Sequence, residues 1–313
     1  MKVVFFGTPD FAVYSLKAIA ESRHEVVAVV TQPDKPVGRK AVLTPSAVKA
    51  EAERLGIKVL QYDKISKEGV SDLKALNADI MVTCAFGQIL SQEVLDIAPY
   101  GIINVHASIL PRYRGASPIQ FAVLNGDKET GVTIMKTSVG IDDGDVILCE
   151  KTQIFPDETA GELFSRLAPM GAKLIVEALD LIEDGTAVFT PQQGEPIKVR
   201  QLKKTDAEID WSRDSECLHN FVRGMNPWPC AYTFLNGKTL KIFKAKAEKS
   251  NVETSHYHFG EVVSADKSNG IKIACGNGFL ILEELQAEGS KRMSASEFLN
   301  GRKIKEGDRF ERC

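Results

Sequence analysis

No stretch of this 313-residue chain approaches the ~20 consecutive apolar residues that a membrane-spanning helix requires, so no membrane span is expected. The six cysteines (Cys84, Cys149, Cys217, Cys230, Cys275 and Cys313) form no C-x-x-C pair. That argues against a zinc frame or a disulfide scaffold and reads as reduced thiols, with no metal site expected. Charge of one sign is also missing. A net charge of −3 supplies no global field to gather a polyanion, so any nucleic-acid contact must come from a local basic patch. Neither G-x-G-x-x-G nor G-x-x-x-x-G-K-[ST] occurs, which disfavours a dinucleotide-dependent oxidoreductase and a P-loop ATP site. The chain starts Met1-Lys2-Val3-Val4-Phe5-Phe6-Gly7 and runs straight into a strand-like segment. No signal peptide is expected from that pattern, and the location expected is cytoplasmic.

What is present is ordinary globular composition, 43% hydrophobic and 26% charged, on a chain long enough for two cores. In the first half, apolar runs alternate with helical spacing. Val3–Phe6, Glu25–Thr31, Lys58–Leu60, Ile80–Thr83 and Gly101–His106 read as strands. Phe11–Ser22, Ser46–Leu55, Asp72–Leu76 and Ser91–Ala98 read as helices, with Thr44 as the expected cap of the second and Pro45 in its first position. This alternation predicts a Rossmann-like, mostly parallel α/β sheet, whose ligands bind beyond the carboxyl ends of the strands. A strand pair, Thr130–Lys136 and Asp145–Lys151, and a long helix over Thr159–Asp184 follow. Thr190–Arg200 is rich in Pro, Gln and Gly without helical period and reads as a linker.

Beyond Glu208 the pattern changes. A short helix over Cys217–Met225 precedes about five β-rich runs, with Asn236-Gly237 a strong hairpin signal. A small OB-like β-barrel is expected there. The domains expected are 1–189, a linker over 190–207, and 208–313. The pattern of 288–313 is mixed and predicts no definite fold.

The chemistry-bearing segment is Gly101-Ile102-Ile103-Asn104-Val105-His106, followed later by Gly140-Ile141-Asp142-Asp143-Gly144-Asp145. Residues two apart on a strand share a face, so Asn104 and His106 point together while Ile103 and Val105 point into packing. A carboxylate from the Asp142 turn can fix the imidazole tautomer and favour its charged form. Such a trio can stabilise a tetrahedral oxyanion and move a proton without a protein nucleophile. A histidine at a strand end is commonly only structural. Against that stands the loop Ser108-Ile109-Leu110-Pro111-Arg112-Tyr113-Arg114-Gly115, too dense in Pro, Gly and Arg for a plain connector. Phe86, Gly87 and Ile89, after the strand Ile80–Thr83, offer an apolar slot with main-chain groups that would suit a flat heterocycle; an ordinary strand-to-helix turn is the alternative. Lys35, Arg39 and Lys40 sit in a polar loop after the second strand, solvated by default but able to follow a phosphate backbone. Lysines 238, 241, 244 and 246, with Lys291 and Arg292, are a similar scatter of cations. Trp228, in Asn226-Pro227-Trp228-Pro229, reads as packing.

Five blocks carry a resemblance that runs nearly end to end: GTPDFA (7–12), TQPDKPVGRK with LTPSAVK (31–49), NVHASILPRYRGASPIQ (104–120), ETGVTIMK with VGIDDGDVI (129–147), and EIDWS with MNPWP (208–229). In these the chain resembles the methionyl-tRNA formyltransferase family. The resemblance implies a Rossmann-like formyltransferase domain followed by an OB-like barrel. It implies 10-formyltetrahydrofolate as co-substrate and methionyl initiator tRNA as acceptor and partner. On the matching positions it implies catalytic roles for Asn104, His106 and Asp142, folate contacts along Ser108, Ile109, Leu110 and Pro111, and an acceptor-stem contact over Lys35 to Lys40 centred on Arg39. Ile109 stands where leucine is commoner, and Lys40-Ala41-Val42 carries fewer cations than the family often shows. A monomer is expected. Two rivals remain: transfer to a sugar nucleotide or other small amine, which would keep the same trio, and a folate-dependent hydrolase or sensor whose barrel binds RNA without transfer.

Overall fold

The computed structural model describes residues 1–38, 41–249, 256–301 and 304–312. The chain folds as two compact units. The first comprises Met1–Pro118, Glu129–Gln153 and Phe164–Arg200; the second comprises Ile119–Lys128, Ile154–Leu163 and Gln201–Cys313.

The first unit is built on a seven-stranded sheet. In spatial order its strands are Val146–Gln153, Glu129–Lys136, Ile102–His106, Ile80–Cys84, Lys2–Gly7, Glu25–Thr31 and Val59–Gln61. The last five run parallel; Glu129–Lys136 is antiparallel to Ile102–His106, and Val146–Gln153 is antiparallel to Glu129–Lys136. Continuous apolar runs are what a sheet covered on both faces demands. Val3, Val4, Phe5 and Phe6 are each 0% exposed. Burying side chains of this size contributes roughly 1.5–3 kcal/mol each. The helix Asp10–Ala20 buries Phe11, Ala12, Ser15, Leu16 and Ile19, one face at helical spacing.

The second helix departs from the sequence expectation. It runs Ala47–Arg54, and its cap is Ser46, whose hydroxyl accepts from the Lys49 N–H at 3.0 Å. Thr44 instead ends the short strand Val42–Thr44, and its hydroxyl donates to Val42 O. The cause is tertiary pairing: Thr44 lies opposite Lys35 in the short hairpin and serves as a strand end. Two short helices, Ile65–Glu68 and Pro118–Leu124, carried too little periodicity to be expected. The long helix Ala160–Glu183 forms as expected and continues through Pro169. Thr159 and Glu162 cap its start reciprocally.

The second unit is a curled antiparallel sheet, a half-barrel. Its strands are ordered Val262–Asp266, Gly270–Ala274, Phe279–Ala287, Lys238–Glu248, Tyr232–Leu235 and Phe310–Glu311, with Met293–Ser294 on Phe279–Ala287. Asn236 and Gly237 take φ values of 52° and 71°, the double left-handed turn that joins twisted hairpin strands. Register shifts around Lys244 bend the long central strand. The segment with no expected fold supplies a strand, the helix Ala295–Gly301 and the edge strand Phe310–Glu311.

Candidate active site

Asn104 and His106 lie on Ile102–His106, flanked by Ile80–Cys84 on one side and Glu129–Lys136 on the other. The register sets Thr83 opposite Asn104, and the Thr83 hydroxyl donates to Asn104 Oδ1 at 2.9 Å. That bond fixes which way the amide faces. Its Nδ2 then reaches Asp142 Oδ1 at 3.4 Å, which leaves its second hydrogen free of that contact. His106 is 5% exposed. Its Nε2 lies 3.0 Å from Tyr113 O. A carbonyl only accepts, so this nitrogen carries a hydrogen. Nδ1 faces Asp142 Oδ2 at 3.6 Å, too long for a hydrogen bond but close for an ion pair.

Asp142 is held from its backbone outward. It sits in the turn after Glu129–Lys136 with φ 48°. Oδ2 accepts the Gly115 N–H at 2.8 Å. Its neighbour Asp143 bonds Ser138 instead, so of these two aspartates it is Asp142 that meets Asn104 and His106. The structure thus brings Asn104, His106 and Asp142 into one cluster at the carboxyl end of the sheet.

The other expected residues are placed as follows. Ser108 is fully buried and donates to Arg112 O at 2.6 Å, while Thr133 Oγ1 donates to Ser108 O at 2.7 Å. The serine side chain is therefore spent on bracing the loop. Leu110 and Pro111 are buried, joined by a cis peptide, and Ile109 is partly exposed. Phe86 is 4% exposed and stacks edge-on against Phe6 at 5.3 Å. Its carbonyl already accepts from Thr8 and Gln32. Gly87 takes φ 82°, and a side chain there would collide with Gln32, 2.5 Å from the added carbon. Ile89 is 82% exposed. The segment 84–90 and the loop after His106 leave adjacent parallel strands at the same sheet end. Lys35 starts the short hairpin Lys35–Val37 with Val42–Thr44 and donates to Gln32 Oε1 at 2.6 Å. Arg39 and Lys40 lie outside the described residues. Asp34, beside this hairpin, has its carboxyl held low by Lys49 and then Gln61.

A thiol nucleophile is not offered at this end of the sheet by Cys84. Burial pushes its thiol up to about 12, against a weaker opposing hydrogen bond from Ser15.

A family model for formyl transferase matches residues 1–179, and one for the formyl transferase C-terminal domain matches residues 201–303. A methionyl-tRNA formyltransferase of Lachnospira eligens is 47% identical over 98% of this chain and 98% of its own. One of Agathobacter rectalis is 46% identical over 99% of each. The chain belongs to the methionyl-tRNA formyltransferase family.

Among solved structures, an N-formyltransferase from Helicobacter canadensis, in complex with folinic acid and dTDP-3-aminofucose, matches with a TM-score of 0.66 at 20% identity. The match covers 94% of this chain and 100% of that one. HypX from Aquifex aeolicus, in complex with tetrahydrofolic acid, matches with a TM-score of 0.62 at 18% identity over 96% of this chain and 47% of that one. At these identities the likeness shows a shared fold.

In this member of the family, sequence reasoning missed several residues around the trio. Thr83 and Thr133 read only as strand residues. Gly115 has φ 120°, and an added carbon there would lie 2.0 Å from Val199 O. Gln192, in the stretch read as a linker, donates to Asp142 O at 2.9 Å and Gly144 O at 2.8 Å. Arg114 grips the other end of that amide, Nε at 3.0 Å and Nη2 at 2.7 Å from Oε1. No composition or period marked Gln192; only the fold brings it there.

Proposed function

We propose that this protein transfers the formyl group of 10-formyltetrahydrofolate to the α-amine of methionyl initiator tRNA, giving N-formylmethionyl-tRNA for translation initiation. The observation that carries the reading is the convergence of Asn104, His106 and Asp142 in a chain of this family. Residues 1–189 carry the chemistry, 190–207 connect, and 208–313 supply the barrel; Lys35, Arg39 and Lys40 meet the tRNA. The protein acts as a monomer in the cytoplasm. Among the described residues no helix is long and apolar enough to cross a membrane.

The site suits a formyl carbonyl attacked by a neutral amine. As the nitrogen–carbon bond forms, negative charge builds on the formyl oxygen. The second amide hydrogen of Asn104 and an Nδ1 proton of His106 are the donors for it. Removing one such donor costs about 3–4 kcal/mol of transition-state stabilisation in related chemistry. The Asp142 carboxylate faces Nδ1 from 3.6 Å. It is also the acceptor toward which the attacking nitrogen can release its own proton through water. Collapse of the tetrahedral intermediate breaks the bond to the folate nitrogen, which takes up, through water, the proton that the amine released to Asp142 and leaves as tetrahydrofolate. Ser108, Ile109, Leu110 and Pro111, with Phe86, Gly87 and Ile89, border the donor side of this site. Since Ser108 is committed internally, recognition from that segment falls to main-chain groups and Ile109.

The test is incubation with 10-formyltetrahydrofolate and charged initiator tRNA, with N-formylmethionine as the expected product. An amino-sugar nucleotide serves as competing acceptor, and formate release without tRNA reports hydrolysis. Faster formylation of the sugar, or formate as the main product, would replace this reading.

A further inference from the structure

We infer that Gln192 is a positioning residue for formyl transfer: its amide, aimed by Arg114, holds the Asp142 turn so that the carboxylate meets Asn104 and His106. The inference rests on the catalytic assignment of those three residues.

The stretch 190–199 is not a free tether. Thr190 exchanges two backbone hydrogen bonds with Val146, at 2.8 and 2.9 Å. Ile197 O and Val199 O accept from Arg114 and Ala116, at 2.9 and 3.2 Å. Gln192 lies between these anchors. It binds the carbonyls of Asp142 and Gly144, both in the turn that carries the carboxylate. Asp142 has φ 48°, a conformation that a side-chain-bearing residue keeps only where its surroundings hold it. The same stretch also sets Gly115, whose N–H binds Asp142 Oδ2, because Lys198–Val199 pairs with Arg114–Gly115. One segment therefore grips the aspartate from both sides, through its main chain and through its carboxylate.

Only a carboxamide meets all the demands on Gln192. It must donate twice from one nitrogen and accept from a guanidinium. Glutamate would keep, and strengthen, the contact with Arg114 but would turn an acceptor toward two carbonyls. This separates positioning from plain structural support. If Gln192 serves only to tie down Arg114, Gln192→Glu is tolerated. If it aims Asp142, the variant stays folded and loses rate.

The experiment compares wild type, Gln192→Glu and His106→Ala on the full chain. For Gln192→Glu the expected result is a folded protein with a modestly lowered melting midpoint, little change in KM for either substrate, and a fall in kcat on the order of 100-fold, the size of a small misplacement of catalytic groups. Nuclear magnetic resonance of isotope-labelled histidine should show the His106 ring nitrogens shifted, since Asp142 no longer faces Nδ1 as before. Should Gln192→Glu fail to fold, Arg114→Lys, which gives up the two-point grip on Oε1, carries the same rate and ring measurements with the same expected direction. A full kcat, or a reduced kcat with the His106 ring signals unmoved, overturns the inference. If His106→Ala loses its rate while Gln192→Glu does not, only the positioning role falls. If both keep full rate, the catalytic assignment itself falls, and this inference with it.

Discussion

Asp142 Oδ2 lies 3.6 Å from Nδ1 of His106, whose other ring nitrogen is occupied by the carbonyl of Tyr113. The imidazole is therefore held between a carbonyl and a carboxylate, and the carboxylate's charge faces Nδ1. Asp142→Asn keeps the volume and removes that charge. We expect kcat to fall on the order of 1,000-fold with folate affinity retained. Single-turnover formyl transfer checks this; a rate within a few-fold of wild type would remove Asp142 from the mechanism.

Asn104→Ala and His106→Ala each delete one donor to the formyl oxygen. Each should lower the single-turnover rate by roughly 100- to 1,000-fold. Asn104→Ala also leaves the Thr83 hydroxyl without its Oδ1 acceptor, so its melting midpoint is measured alongside. Near-normal turnover in either variant ends that residue's role.

Gly115→Ala should be far more damaging than its size suggests. The left-handed φ of 120° and a Cβ 2.0 Å from Val199 O both oppose it, and that oxygen belongs to a main chain that cannot swing away as a side chain would. A loss of about 1–3 kcal/mol from the backbone conformation alone is expected in denaturant unfolding, with a further loss of rate because its N–H anchors Asp142. A variant with wild-type stability and rate would show that the 114–116 pairing yields easily.

The pair Asn104 and His106 was legible in the sequence because it depends on a local rule, whereas Asp142 was singled out by the family resemblance. Strand alternation puts Asn104 and His106 on one face whatever the rest of the chain does. The parallel sheet was equally legible, since runs such as Glu25–Thr31 have no amphipathic alternative. What escaped depends on distance in sequence or on competing signals. Gln192 acts 50 residues from Asp142, and nothing local marks it. Thr44 has the composition of a helix cap, but pairing with Lys35 makes it a strand end and Ser46 takes the cap. The helix Ala295–Gly301 was announced by Ser294 and Glu297, which cap each other, yet it is too short for its apolar period to show. The edge-on packing of the Phe86 ring against Phe6 also joins residues far apart in sequence, and no local pattern announced it.

Lys35 is exposed and, among the described residues, its ammonium bonds Gln32, a neutral partner, so its charge is available to a phosphate. Lys35→Ala should raise KM for methionyl-tRNA while leaving KM for the folate unchanged. Removing one phosphate interaction should also flatten the dependence of log affinity on log salt by roughly 0.7–0.9. Arg39→Ala should act in the same direction. An unchanged salt slope in both variants would place the tRNA interface elsewhere.

Stability should fall with acidification well before the carboxylates titrate, and His219 is one reason. Its ring is 18% exposed, with Nε2 3.3 Å from Asp157. Burial lowers its pKa first and the Arg223 cation lowers it further, while Asp157 opposes both. His24 is shifted in the same direction, again chiefly by burial. An unfolded histidine titrates near ~6.5. The native state binds these protons less readily than the unfolded chain, so stability rises with pH through this window. The contribution is complete above ~6.5 and is lost as pH drops through the lower native values. The shifted carboxylates among the described residues, such as Glu283, Asp210 and Glu51, are lowered instead and lose their contribution only below the ordinary carboxylate range. A melting midpoint followed from pH 8 to pH 5 should therefore decline, and His219→Gln, which cannot take up a proton, should decline less steeply. If the two profiles run parallel through that range, His219 is not buried against its charge, and the helix Ser215–Gly224 leaves its ring open to water.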